Sequence, residues 1–209
     1  MSGGGGECVT AEAGANLLIV DDHAAVRAGL VALLEDEHAL TLLPSAAGAN
    51  EALMLSRRRA PDIALLDISL DDGDGLRLSL DLKRLSEPPA VLLYTASVDP
   101  LLAFKARLVG ADGLLAKTAR AGELKEAIGA VLRGELRVPA FDRELLRAKT
   151  RDLSPELLAV IGLRLHSTPV DGMAAALGLS EEEVSERIER VLEILDGDPA
   201  KNQDGSAAE

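Results

Sequence analysis

The chain has 209 residues, 47% hydrophobic but only 1% aromatic, so one large domain or two small ones must be packed from Leu, Ala, Val and Ile. A formal net charge of −13 argues against nonspecific binding to DNA or anionic membrane, although a local basic patch is compatible with it. One cysteine, Cys8, precludes an internal disulfide framework and fits a reducing, cytoplasmic setting, and no run of about 18 apolar residues offers a membrane span.

In chain order, "SGGGG" at 2–6 reads as a flexible leader, with no basic-then-apolar segment of the secretory kind. From residue 16 to 133, short apolar runs alternate with helical patterns. "LLIV" (17–20), "ALTLL" (39–43), "IALLD" (63–67), "AVLLYT" (90–95) and "GLLA" (113–116) predict strands. Unbroken runs of four to six apolar residues suit strands buried on both faces. The stretches 24–35, 49–59, 75–85, 100–109 and 120–133 have helical periodicity. Five strands alternating with five helices imply an α/β fold, a doubly wound five-stranded parallel sheet with helices on both faces. Residues 135–152 read as a linker with a short helix, and 153–196 as a small all-α domain with helices over about 154–166, 170–177 and 180–195. Residues 197–209 read as a polar, disordered tail.

Right-handed crossovers place every strand's C-terminal end on one sheet edge, where such folds bind ligands. The polar residues there are Asp21 and Asp22, Asp67, Thr95 and Lys117. Three clustered carboxylates repel, so they need a cation or a proton. Oxygen ligands and a phosphoryl group suit Mg²⁺. A carboxylate can accept a phosphoryl group as an acyl phosphate, with an ammonium and a hydroxyl steadying its oxygens. Taken singly, each residue has a plainer reading: Asp21 and Asp22 as caps for the following helix, Lys117 as a solvated lysine. Asp71, Asp72 and Asp74 read as a loop, since the spacing fails the calcium-loop pattern, and His23 is assigned no role.

The motifs "LLIVDDH" (17–23), "IALLDISLDDGDG" (63–75), "LLYTAS" (92–97) and "GADGLLAK" (110–117) resemble, in order and content, the receiver domain of two-component response regulators. The resemblance covers about residues 15–134 and implies a flavodoxin-like fold. It implies Asp67 as phosphoacceptor. It gives Mg²⁺ to Asp22, Asp67 and the backbone carbonyl of Ser69, with Asp21 acting through water. Thr95 and Lys117 would contact the phosphoryl group, and a histidine kinase or other phosphodonor would supply it. The sequence departs from the family at Leu114, where an aromatic switch residue is common, and at Asp71, where proline is usual. An enzymatic alternative uses the same nucleophile: haloacid-dehalogenase-type phosphatases place a second Asp two residues on, but Ser69 stands there. The expected chain is therefore a switch, not an enzyme.

"LSPELLAVIGLRL" with "MAAALGLSEEEVSERIERVLEIL" (153–195) resembles the LuxR-type helix-turn-helix that ends many response regulators. Gly178 suits a left-handed turn and Ser180 with Glu183 a capping box. Val184, Ile188, Val191, Leu192 and Leu195 form one apolar face, and Ala174, Ala175 and Ala176 would allow close helix approach. The other face of the second helix is acidic: Glu181, Glu182, Glu183 and Glu186, with pairs Glu183–Arg187 and Glu186–Arg190 at i,i+4 spacing. From 151 onward 5 Lys/Arg stand against 13 Asp/Glu, a net −8. The resemblance implies transcriptional control by DNA binding; the acidic face suggests, as the alternative, a protein partner. Gly197, Asp198 and Pro199 end the pattern where the family often has a dimerisation helix, so a homodimer would use another interface.

Overall fold

A computed structural model describes residues 14–197; the leader at 2–6, Cys8 and the tail from 198 onward lie outside the described residues. The chain order is β1 (Ala15–Val20), α1 (Ala24–Leu34), β2 (Leu40–Leu42), α2 (Ala49–Arg58), β3 (Ile63–Leu66), β4 (Ser69–Leu70), β5 (Gly73–Asp74), α3 (Gly75–Leu82), β6 (Ala90–Thr95), α4 (Pro100–Val109), β7 (Gly113–Ala116) and α5 (Ala121–Leu132). Then come α6 (Arg143–Thr150), α7 (Pro155–Leu165), α8 (Val170–Leu177) and α9 (Glu181–Leu195). Five strands form one parallel sheet in the order β2-β1-β3-β6-β7. The order reverses direction at β1, so the cleft between β1 and β3 is the switch point of the sheet.

Both faces of the sheet are covered, which is why its strands are apolar without alternation. Leu18, Val20, Ala64, Leu66, Val91 and Leu93 point to the face packed by α2, α3 and α4. Leu17, Ile19, Ile63, Leu65, Leu92 and Tyr94 point to the other, with Leu30 and Leu34 of α1 and Leu124, Ile128 and Val131 of α5. The strand and helix expectations hold to within a few residues at the ends. The two-residue hairpin β4–β5, antiparallel through Ser69↔Asp74 and Leu70↔Gly73, was not expected; it occupies the acidic loop.

The C-terminal helices form their own apolar centre from Val160, Ile161, Val170, Met173, Val184, Ile188, Val191, Leu192 and Leu195. Ala174 is buried, but Ala175 and Ala176 are exposed, so only one of the three alanines makes room for a neighbouring helix. Gly178 ends α8 at φ 68° and Gly197 follows α9 at φ 77°, both left-handed as a helix end of this kind needs.

This second centre is continuous with the α2–α4 side of the first, because α7 and α9 pack on α4. Polar bonds fix the seat. Arg164 of α7 donates from Nε to the Leu108 carbonyl (2.9 Å) and from Nη2 to the Val109 carbonyl (3.0 Å), satisfying two carbonyls that α4's C-terminus leaves without helical donors. Gly110 sits at φ 80°, where a side chain is strained, and a Cβ there would fall 2.0 Å from the Arg164 Nη2 and displace it from its seat. Lys105 pairs with Asp196, and Arg77 with Glu193 at 3.3 Å. Among the described residues no helix is long and apolar enough to cross a membrane.

Candidate functional site

The C-terminal ends of β1, β3, β6 and β7 bring together the residues singled out in the sequence. Asp21 and Asp67 follow β1 and β3 directly and are 1% and 6% exposed, so water does little to screen their charge. Lys117, just past β7, answers both: its Nζ lies 2.6 Å from Asp21 Oδ2 and 2.7 Å from Asp67 Oδ2. Burial alone would lower the Lys117 ammonium, but hydrogen bonds to Asp21 and Asp67, together with their charges, outweigh it and hold the group above its usual range. Asp22 is partly exposed and receives the His23 ring at 2.5 Å from Nδ1. The slight burial of Asp22 would raise its carboxyl; the His23 bond and charge overcome that and set it below the usual range. Thr95 ends β6 and is buried, and its carbonyl accepts the Lys117 N–H at 2.6 Å, so the threonine and lysine are tied backbone to backbone. Ser69 opens β4, and its N–H lies 3.4 Å from Asp67 Oδ1.

Ligand atoms of Asp21, Asp22, His23 and Asp67 all lie within 4.8 Å of one another. Three carboxylates against one ammonium leave an excess of negative charge, and an oxygen-rich donor set of this kind fits a hard divalent cation such as Mg²⁺. His23 therefore stands inside the cluster, although its ring is spoken for by Asp22 and 71% exposed.

Three supports were not read from the sequence. Arg27, from the first turns of α1, donates from Nη1 to the Asp21 carbonyl (2.6 Å) and the Asp22 carbonyl (3.0 Å), pinning the acidic turn from behind. Tyr94, the chain's one tyrosine, donates its hydroxyl to the Lys117 carbonyl at 3.3 Å. Gly75 lets α3 begin against the acceptor turn: a Cβ there would lie 2.0 Å from the Asp67 carbonyl oxygen. Its signal in the sequence is the "DG" that follows the acidic loop.

Two of the three loop acids cap helices. Asp72 accepts from the Ala49 and Asn50 N–H groups at 2.7 and 3.2 Å, capping α2, and those bonds lower its carboxyl. Asp74 caps α3 through the Leu76 N–H at 2.8 Å, while burial pushes its carboxyl up. Asp71 is exposed.

On α9, Glu181, Glu182, Glu183 and Glu186 are all exposed, whereas the far end of the helix lies against α4. The capping box is formed: Ser180 N–H donates to Glu183 Oε2 at 2.7 Å, and Glu183 N–H to Ser180 Oγ at 3.2 Å. The Glu183 carboxylate is held by Ser180 and makes no ion-pair contact with Arg187, contrary to the expected i,i+4 pair, although the Arg187 charge still lowers it. Backbone and side-chain bonds from Ser180 hold the Glu183 carboxyl below its usual range. Arg190 reaches Glu193 at 3.3 Å, one helical turn on in the i,i+3 direction.

Comparison with known proteins agrees with this geometry. The response regulator receiver domain family matches residues 17–129. A putative transcriptional regulator of Pseudomonas aeruginosa is 32% identical over 184 residues, 84% of this chain and 88% of that protein. The DNA-binding transcriptional activator DevR/DosR of Mycobacterium tuberculosis is 29% identical, over 82% of this chain and 79% of its own. A solved LuxR-family two-component response regulator from Aurantimonas sp. superposes with a TM-score of 0.56 at 30% identity, covering 66% of this chain and 98% of that structure.

Proposed function

The chain belongs to the response regulator receiver domain family, and from that premise we propose that Asp67 is its phosphoacceptor and that phosphorylation there governs DNA binding by the helices from 153 to 196. The observation that carries this reading is Lys117 Nζ bridging Asp21 and Asp67 at the switch point of the sheet. The Asp67 carboxylate attacks phosphorus of a phosphohistidine or a small phosphodonor; an O–P bond forms and the donor's bond to phosphorus breaks. Lys117 then turns from a carboxylate to a phosphoryl oxygen, and the Thr95 hydroxyl donates to another. Asp22, Asp67 and the Ser69 carbonyl would hold Mg²⁺, with Asp21 acting through water; bound there, it offsets charge on the phosphoryl oxygens. Ser69 stands two residues after Asp67, where phosphatases of the haloacid-dehalogenase type place an acid/base carboxylate, which favours a lasting acyl phosphate and a signalling role over turnover.

The assigned boundaries are a receiver over 15–134, a linker over 135–152 and an output unit over 153–196, working in the cytoplasm. DNA is favoured over a protein partner for two reasons. The 29%-identical relative is named a DNA-binding activator. The acids that opposed DNA also have a local purpose: Glu183 closes a capping box, and its neighbours sit at a helix N-terminus, where negative charge is stabilised.

Beryllofluoride with Mg²⁺ should shift the amide signals of Asp67, Thr95 and Lys117, and Asp67→Asn should abolish the shift; a retained response would overturn the acceptor assignment. Activated protein should then select a duplex sequence from a random pool, with an affinity that falls steeply with salt. No binding even at low salt would remove the DNA reading.

A further inference from the structure

A second site lies where the C-terminal helices meet α4. A cleft of about 240 Å³ opens there, lined among others by Lys83, Arg107, Asp112, Arg164, Ser167 and Val170. Three cations against one acid is an unusual balance in a chain of net charge −13. The acid is already engaged: Asp112 Oδ2 accepts from Lys83 Nζ at 2.6 Å and from the Val91 N–H at 2.7 Å. That leaves two guanidinium groups without a carboxylate partner among the described residues.

Arg164 is only 5% exposed, yet it bonds to neutral groups alone: the Leu108, Val109 and Thr168 carbonyls, at 2.9, 3.0 and 2.9 Å. Arg107 Nη2 bonds to the Leu165 carbonyl at 3.0 Å and Ser167 Oγ at 3.1 Å. A guanidinium has five N–H groups, so these contacts leave donors over on both arginines. Burial pushes Arg164 down to about 10, with Arg107 adding repulsion and Asp112 opposing it. Arg164 remains charged at neutral pH, and the only carboxylate acting on its buried charge, Asp112, is already paired with Lys83. The start of α8 adds to the positive field: its N-cap is Pro169, with no side chain capping the helix, and both Pro169 and Val170 line the cleft. The nearest first-turn acid, Asp171, is exposed, and its Oδ1 accepts from the Gly172 N–H at 2.8 Å.

We propose that this cleft binds a small, doubly charged oxyanion of the phosphate class, held by Arg107 and Arg164, with Lys83, engaged by Asp112 and the Pro89 carbonyl, at its edge. The volume is below the roughly 300 Å³ at which drug-sized ligands begin, which suits free phosphate or the phosphoryl end of a small ester. Guanidinium forks match the geometry of such oxygens. Because Lys83 and Arg107 belong to the sheet unit and Arg164 to the C-terminal helices, the anion bridges the two and binds only when they are docked. By mass action, ligand at ten times its dissociation constant then favours the docked arrangement about elevenfold. The binding claim is independent of the Asp67 assignment.

The test titrates the full chain, without Mg²⁺, with inorganic phosphate and separately with glycerol phosphate, against chloride at equal ionic strength. The amide signals of Gly110, Ala111, Asp112 and Val170 should shift saturably with phosphate and not with chloride. A tighter fit to the ester than to phosphate identifies an ester as the ligand; the reverse identifies the free ion. Arg107→Gln, at a half-buried position and with its thermal unfolding compared with the parent, should weaken binding about tenfold, the effect of losing a charged hydrogen-bond donor; Arg107→Lys should recover part of it. Asp67→Asn should bind as the parent does, which separates this site from the strand-end one. Phosphate at ten times its dissociation constant should also slow proteolysis in the 134–142 connector about elevenfold. No saturable shift, an equal shift with chloride, or unchanged affinity in Arg107→Gln would overturn the site; unchanged proteolysis would overturn the bridging.

Discussion

Two of the chain's acidic clusters, at the strand ends of the sheet and along the leading edge of α9, are treated in opposite ways. Asp21 and Asp67 are buried, aimed at one point and answered by one lysine. Glu181, Glu182 and Glu186 are exposed along successive turns of a helix. In water, two charges 4 Å apart interact by about 1 kcal/mol, but by about 4 kcal/mol at the effective dielectric near a protein surface. Acids of the first kind therefore create a demand for a cation, which chemistry can exploit. Acids of the second kind are largely screened and need no partner. Counting carboxylates does not separate the two cases; burial and convergence do.

Removing the lysine tests the first half of that contrast most severely. Lys117→Met leaves Asp21 and Asp67 facing each other with no counter-charge. Urea unfolding in a metal-free buffer should show a loss of about 1–3 kcal/mol, the usual consequence of stranding charged hydrogen-bond partners. Millimolar Mg²⁺ should restore a good part of it, because a cation can take the place of the ammonium. A loss that Mg²⁺ leaves untouched would mean that the carboxylates do not form a cation site.

A smaller effect is expected on the other acids. The triple variant Glu181→Gln, Glu182→Gln, Glu186→Gln removes three charges from the edge that would approach phosphates. Fluorescence anisotropy on a random duplex at low salt should report an affinity higher by on the order of tenfold, and the gain should shrink as salt screens it. An unchanged affinity would mean that this edge does not face the duplex, and that DNA, if bound, meets another surface.

The contrast was partly legible in the residues themselves. Apolar runs such as "LLIV" and "IALL" mark doubly covered strands, and the parallel order then forces Asp21, Asp67, Thr95 and Lys117 to one edge before any coordinate is known. The helix-turn-helix frame is legible for the same reason, from the 3.6-residue recurrence of Val184, Ile188, Val191 and Leu195. What escaped depends on tertiary placement. Arg27 reaches back to two carbonyls, which any arginine could do, and nothing in its neighbours marks it. Ala175 and Ala176 have the same composition as Ala174 but face water. Arg164 did leave a trace: it sits four residues after Val160, on the buried face of an otherwise apolar helix, where an arginine needs an explanation. The seat of α7 on α4 is that explanation.

The finest discrimination concerns the sign of a small number. Glu182 stands in the first turn of α9 between two other acids, so two effects compete. Like-charge neighbours would make its neutralisation favourable. The positive end of the helix would make it unfavourable, by about 0.3–1 kcal/mol at low salt. Successive residues on a helix project about 100° apart and do not face one another, so the neighbours' repulsion is the weaker term. Glu182→Gln should therefore cost a few tenths of a kcal/mol in thermal unfolding at low salt, within the roughly 0.5 kcal/mol range of surface substitutions. The cost should vanish in high salt, which screens the dipole term. A stabilised variant would show instead that crowding governs the acidic edge, and that α9 carries its charge at the expense of its own stability, for the sake of something outside the helix.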